Sequence, residues 1–402
     1  MNRRLSLGVL SLALALSSLW ALRSFYRGPP TAAEVEAYLA QGETLEAEGD
    51  LEAAFDEYER GAAAARELPG TPLLRARALN RLGALHLRRG DGDPAKTVLE
   101  EALEAARAAG DDAEISESLF HLGSLQYSFG RMRDASELFE RSAEAAVEAE
   151  DRIRESRAQL YVGLSAKNME DLPRAEAALE RAATLSRSEG DARGEAEAIR
   201  VLGQTYSQLG ENQKALEYFE RARGLLKPLG DTATEATILN GVGQLYFDMG
   251  ETETALRYYL QALDLNRALQ IRRREAATIL EVGRCELDLG RKEEALRRFE
   301  EALRIYRELK NPRLEADVLA ELGRLHVSEG EDDEALRYLE RAVELKTTVG
   351  DSGGRAYILV EAGEVHRRLG KYHDALRFFR RAAELSRDAD DALFEAQALY
   401  HA

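Results

Sequence analysis

"VLGQTYSQLGENQKALEYFERA" (residues 201–222) sets Gly203 seven residues before Gly210, Ala215 five residues after that, and Phe219 four further on. The pattern returns every 40 residues: Gly83, Gly123, Gly163, Gly203, Gly243, Gly283, Gly323 and Gly363 keep one register. A fixed period of this length marks one supersecondary unit copied along the chain. Between the glycines the apolar residues fall at helical spacing, as in Ala215, Leu216, Phe219 and Ala222 and again in Ala295, Leu296, Phe299 and Ala302. Each unit therefore reads as two helices, and the fold class as all-α.

The breaks between helices have their own chemistry. A second glycine column, from Gly90 and Gly130 to Gly370, falls where the first helix must reverse, and glycine accepts the left-handed conformation that closes a helix. Gly110-Asp111, Gly190-Asp191, Gly230-Asp231 and Gly350-Asp351 place a stop before an aspartate that can cap the next helix. Thr71-Pro72 and Asn311-Pro312 supply a cap followed by a first-turn proline. Glu170 replaces the second glycine, and Gln270 and Lys310 the third, so the repeat holding "GLSAKNMEDLP" is the expected local irregularity. The first glycine column is different, because mid-helix glycine costs about 1 kcal/mol against alanine. Close approach of the paired helix is the expected reason. The alanine column (Ala95, Ala135, Ala175 and onward) supplies a matching small face, and Leu99, Phe139, Leu179, Phe219, Tyr259, Phe299, Leu339 and Phe379 fill the adjoining space.

The order Leu202-Gly203, Gly210, Ala215, Phe219, Ala222 resembles the tetratricopeptide repeat signature, at 40 residues instead of the familiar 34. In that respect it is similar to the long-helix repeats of Pins and kinesin light chain. The resemblance implies a right-handed superhelical solenoid of helical hairpins, about nine repeats over residues 31–389, with residues 390–402 as a capping helix. An initial repeat fits Gly42, Gly49, Ala54 and Tyr58, displaced by one residue.

Residues 1–30 stand apart. Arg3 and Arg4 precede an uncharged apolar run from Leu5 to Leu22, followed by Arg23, Arg27, Pro29 and Pro30. At about 1.5 Å per residue the run reaches about 27 Å, close to a thin hydrocarbon core. It reads as a transmembrane signal anchor, which would hold the protein at a membrane with its repeats in the periplasm or otherwise outside the cytoplasm. A cleaved signal peptide with Ala15-Leu16-Ser17 as its site is the alternative, and retention in the membrane after an alkaline carbonate wash separates the two. Positive charges flank both ends of the run, which blurs its orientation.

Composition narrows function. The formal charge is −18, and beyond the four N-terminal arginines 51 positive groups face 73 negative ones, which argues against nucleic acid as a partner. Cys285 is the single cysteine and sits in a leucine column, so it reads as core filler with neither disulfide nor nucleophilic role. His86, His326 and His366 share one column with Tyr206 and Tyr246. Successive repeats place such positions roughly 10 Å apart, too far for one zinc, so no metal, no cofactor and no catalytic residue is assigned. The expected activity is binding, with an enzyme or an enzyme's regulatory arm as the weaker alternative.

In the resembled family the first helix of each repeat lines a concave face, which implies two ligand columns here: Asn80 to Val360 and Ala84 to Glu364. Their middle part, Arg200, Gln204, Asn240, Gln244, Arg284 and Arg324, is expected to form a ladder of donors for an extended peptide or an acidic side chain of a protein partner. Asp248, Asp288 and Asp317 lie near enough to oppose its positive field. Towards the amino end Phe120, Leu160 and Leu164 should make the same face greasier. The resulting expectation is a scaffold or assembly factor, of a bacterial envelope complex if the preference for arginine over lysine is taken as a sign of source. A soluble exported adaptor is the alternative.

Overall fold

The computed structural model describes residues 29–388 and 398–401. Of the signal anchor expected at 1–30, residues 1–28 lie outside the described residues, as do 390–397 and 402 of the capping helix expected at 390–402. Among the described residues no strand occurs, and no helix is long and apolar enough to cross a membrane.

The chain divides into two compact units, one ending at Leu209 and the other beginning at Gly210. In unit 1, Ala32–Glu48 pairs with Leu51–Glu67, Pro72–Arg89 with Gly92–Ala109, Asp112–Ser128 with Met132–Glu148, and Arg152–Asn168 with Leu172–Ser188; Ala192–Gln208 follows. Unit 2 starts with Asn212–Leu226. It continues with the hairpins Thr232–Asp248/Thr252–Ala268, Arg272–Asp288/Lys292–Glu308, Pro312–Glu329/Asp332–Thr348 and Ser352–Arg368/Tyr372–Asp388. In each hairpin we refer to a first and a second helix.

The mid-helix glycines have a sharper reason than the small-face pairing expected of them. A Cβ on Gly283 would lie 2.5 Å from Cε1 of Phe299, and one on Gly163 would lie 2.5 Å from Cγ of Leu179. The residue pressing on the glycine is thus the large one of the second helix, which seats its side chain against bare backbone. The alanine one turn earlier contributes main chain instead of a small side chain: its carbonyl approaches at 3.3 Å in the case of Ala175 and Gly163. Gly42 meets Tyr58 in the same way, which extends the arrangement to the initial repeat. Phe139, Phe219, Phe299, Phe379, Tyr58 and Tyr259 are among the largest fully buried side chains, so this contact carries much of the core.

Turn chemistry follows the sequence with two corrections. Asp111, Asp191, Asp231, Asp351 and Asn311 accept the expected backbone cap bonds, whereas Thr71 does not cap; its hydroxyl donates to the Leu68 carbonyl. The repeat with Glu170 is regular, because Glu170 takes the left-handed conformation (φ 61°) that glycine takes elsewhere. The strain of a side chain there is small against the packing of two full helices. The departure lies instead at Lys227–Leu229, a single 3-10 turn containing Pro228, whose ring cannot continue the helix.

At the carboxyl end, residues 398–401 are helical. Ala398 is buried against Leu359, Val360 and Phe379, and His401 Nδ1 lies 2.8 Å from Glu364 Oε1.

Candidate functional site: the first-helix face

Most of the Asn80 column is buried, with Leu160 and Asn240 half-buried. Asn80, Phe120, Arg200, Leu280, Ala320 and Val360 are all less than a tenth exposed. The reason is direction: Asn80 and Asn240 turn towards the first helix of the next repeat. Asn80 accepts from Ser118 Oγ at 2.8 Å and donates to Glu114 Oε2 at 2.9 Å, and Asn240 accepts from Thr278 Oγ1 at 3.2 Å.

The six residues expected to form a ladder therefore part company. In unit 1, Arg200 is buried and forks onto Glu197, with Nε to Oε2 at 2.8 Å and Nη2 to Oε1 at 2.5 Å; Gln204 is half-buried. In unit 2, Asn240 is occupied as described. Gln244, Arg284 and Arg324 do converge, on a cavity of about 540 Å³ that Phe247, Glu281, Leu287, Asp288, Glu321 and Tyr357 also line. Its walls come from the first helices of four successive repeats.

That face is not a free cationic ladder. Arg284 donates through Nε to Glu321 at 2.6 Å and through Nη1 to Glu281 at 2.8 Å. Arg324 donates through Nε to Glu361, and its Nη1 meets Glu321, both at 2.5 Å. Glu281, Arg284, Glu321, Arg324 and Glu361 thus form one alternating relay across three repeats, with Glu321 at its centre and 4% exposed. Burial works against the charge of both arginines, yet the flanking glutamates raise their pKa values. Burial lifts Glu281 and Glu361 above the usual carboxylate range, against the pull of Arg284 and Arg324. Sequence reasoning missed the glutamates although their signal was present: "EVGR" and "ELGR" set Glu three residues before Arg at the same register, a spacing that faces both side chains one way.

Beside the relay lies a socket of about 290 Å³ whose apolar wall is Val327, Leu339, Val360 and Val365, with Arg324, Tyr357, Glu361, Glu364 and Arg368 completing its lining. Tyr357 is 49% exposed and lies beneath the Arg324 guanidinium, 5.4 Å from ring centroid to Cζ.

At the amino end Leu160 and Leu164 are half-buried and charged residues dominate. Phe120 is sealed among Phe139 and Tyr161 under the Arg157 guanidinium, 4.0 Å from its ring. A cavity of about 630 Å³ in unit 1 is lined instead by Glu43, Arg77, Arg81, Glu114, Glu117, His121, Asp151, Arg154 and Arg157, with Leu39, Asn80 and Ile153. Glu117 is the hub, 2.5 Å from Arg157 Nη2, 3.2 Å from Arg154 Nε and 3.1 Å from His121 Nε2. Burial opposes its charge, but His121 and Arg157 hold the carboxyl well below the usual range.

The histidine column behaves as an aromatic one. His326 stacks on Tyr338 as Tyr246 stacks on Tyr258, both with rings 8° apart, and His366 packs on Phe378. His326, Glu329 and Glu331 bring their ligand atoms within 4.8 Å of one another, the carboxylates being exposed. Cys285 is fully buried, and burial pushes its thiol up to about 12, which suits core packing and not nucleophilic attack.

A tetratricopeptide repeat family model matches residues 74–146, 154–227, 234–308, 275–348 and 314–388. No curated protein matches the chain. Several solved structures share the fold. The apo form of the quorum sensor NprR from B. thuringiensis is 17% identical with a TM-score of 0.63, over 88% of this chain and 99% of that one. A Rap protein complexed with competence and sporulation factor is 13% identical with a TM-score of 0.63, over 90% and 100%. The Rap conjugation gene regulator of plasmid pLS20, in complex with the Phr* peptide, is 12% identical with a TM-score of 0.56, over 90% and 97%. With the family model covering most of its length, and with the repeated hairpins that the signature demands, the chain belongs to the tetratricopeptide repeat family.

Proposed function

We propose that this protein is a non-catalytic interaction scaffold whose unit 2 holds a segment of a protein partner along its first-helix face. One observation carries the reading: the first helices of four successive repeats line a single cavity that continues into an apolar socket with a half-exposed tyrosine at the junction. Such a surface offers an apolar anchor point flanked by fixed polar groups, the anatomy of a binding hot spot. Two fold relatives were solved with a bound factor or peptide, which supports the choice of partner class.

Reversing Arg284 and Arg324 to glutamate is a poor test, since it would set Glu321 among carboxylates and threaten the fold itself. The cleaner variant is Phe247→Ala with Tyr357→Ala, which trims the cavity and the socket rim and keeps every arginine–glutamate pair of the relay, at the loss of the ring beneath Arg324. It should keep full helicity by circular dichroism and lose the partner that the wild-type chain captures from its native host. Retention of the same partner at the same yield would overturn the reading.

A further inference from the structure

The relay decides which partner segment unit 2 can accept. Three carboxylates, Glu281, Glu321 and Glu361, share two guanidiniums, Arg284 and Arg324. At the same face Asp288 is hydrogen-bonded by the Thr252 hydroxyl at 2.6 Å and Asp248 by the Gln244 amide at 2.8 Å, both neutral donors. With all of them ionised, the balance of these five carboxylates and two guanidiniums is three negative charges. An incoming carboxylate would have to take a guanidinium from a glutamate that already holds it, and in the case of Glu321 would leave a buried charge unpaired. An incoming cation meets no such obstacle and relieves the mutual repulsion of the glutamates. A second observation points the same way: Glu361, in the socket wall, is held by the Arg324 guanidinium through Oε1 alone, its Oε2 being buried with no arginine on it.

Resting on the scaffold reading above, we infer that unit 2 selects a peptide segment that carries arginine or lysine beside a large apolar residue, the apolar side chain entering the socket and the cation lying over the relay. This reverses the acidic ligand that the arginines alone suggest.

The test uses the full chain and three fluorescein-labelled twelve-residue peptides in a glycine-serine background: one with two arginines and a phenylalanine, one with two glutamates and a phenylalanine, and one with two arginines alone. Fluorescence anisotropy should show the arginine-phenylalanine peptide binding at least about tenfold tighter than the glutamate-phenylalanine peptide, with the gap shrinking as salt is raised. The peptide without phenylalanine should bind several-fold more weakly than the first. Asp248→Asn with Asp288→Asn should narrow the gap, since asparagine keeps the hydrogen bonds and removes the charge. Phe247→Ala with Tyr357→Ala should weaken both phenylalanine peptides. Equal or tighter binding of the glutamate peptide, a gap untouched by the aspartate variants, or binding of no peptide at all would overturn the inference. If the glutamate peptide wins while the Phe247 and Tyr357 variant still weakens it, the charge argument falls and the scaffold reading stands; if that variant changes nothing and the native partner is kept, both fall.

Discussion

The cavity of unit 1 and the groove of unit 2 are both walled by first helices and share two columns of the repeat, that of Arg77, Glu117, Arg157 and Tyr357 and that of Arg81, His121, Glu281 and Glu321, yet they come out with opposite character. In unit 1 four carboxylates face four guanidiniums and one hub, Glu117, is gripped from three sides. In unit 2 the relay runs short of cations and opens onto an apolar socket. A repeat fixes where side chains point, so the charge at each position is free to vary without disturbing the backbone. The lesson is that recognition in such a chain is written in a few columns while stability is written in others.

The largest effect that would sharpen this contrast concerns the two hubs. Glu321→Gln should cost about 3 kcal/mol and Glu117→Gln about 2 kcal/mol, because both leave guanidiniums half-paired and Glu321 is the more buried, 4% against 15% exposed. Urea denaturation measures both; a larger loss at Glu117 would reverse the ranking. Next come the glycines. Gly283→Ala should destabilise by about 1 to 3 kcal/mol, since the methyl would press into Phe299, whereas Gly224→Ala should stabilise by about 0.5 to 1 kcal/mol because nothing lies within 4 Å of its Cβ and alanine prefers the helix. Equal thermal shifts for the two would remove the packing argument for the mid-helix column.

The smallest effect is a response to acid. Burial lowers the pKa of His366, whose ring nitrogens meet no hydrogen-bond partner, so its contribution to stability is present above the ordinary value of 6.5 and is lost as pH falls through the depressed folded value. Glu117 is depressed from the ordinary carboxylate value of 4.5, so its contribution stays intact above that value and is lost only in stronger acid. Hydrogen exchange followed by mass spectrometry from pH about 7 to about 5 should therefore show loosening of Ser352–Arg368 with Asp112–Ser128 unchanged, after correction for the intrinsic exchange rate. Loosening of both together, or of neither, would break the distinction.

Much of this was legible in the residues. Gly283, Gly290, Ala295 and Phe299 set the hairpin, and the Gly-Asp pairs set its caps, because local propensity and the 40-residue register agree along the chain. The ligand face was legible only in part. Gln244, Arg284 and Arg324 were found, but Asn80 and Asn240 turn to a neighbouring repeat and Arg200 to its own helix, and Glu321 was overlooked although its spacing to Arg324 was there to read. Column membership gives an angle around one helix; whether that angle meets solvent or the next repeat depends on how closely the first helices stack.

The sequence by itself determined the period, the helical hairpin, the turn residues and the glycine that must stay bare, since each follows from backbone geometry within one repeat. Only the tertiary structure decided which polar side chains remain available and what net charge a partner would meet. Those are sums over residues far apart along the chain, and burial and pairing set their sign.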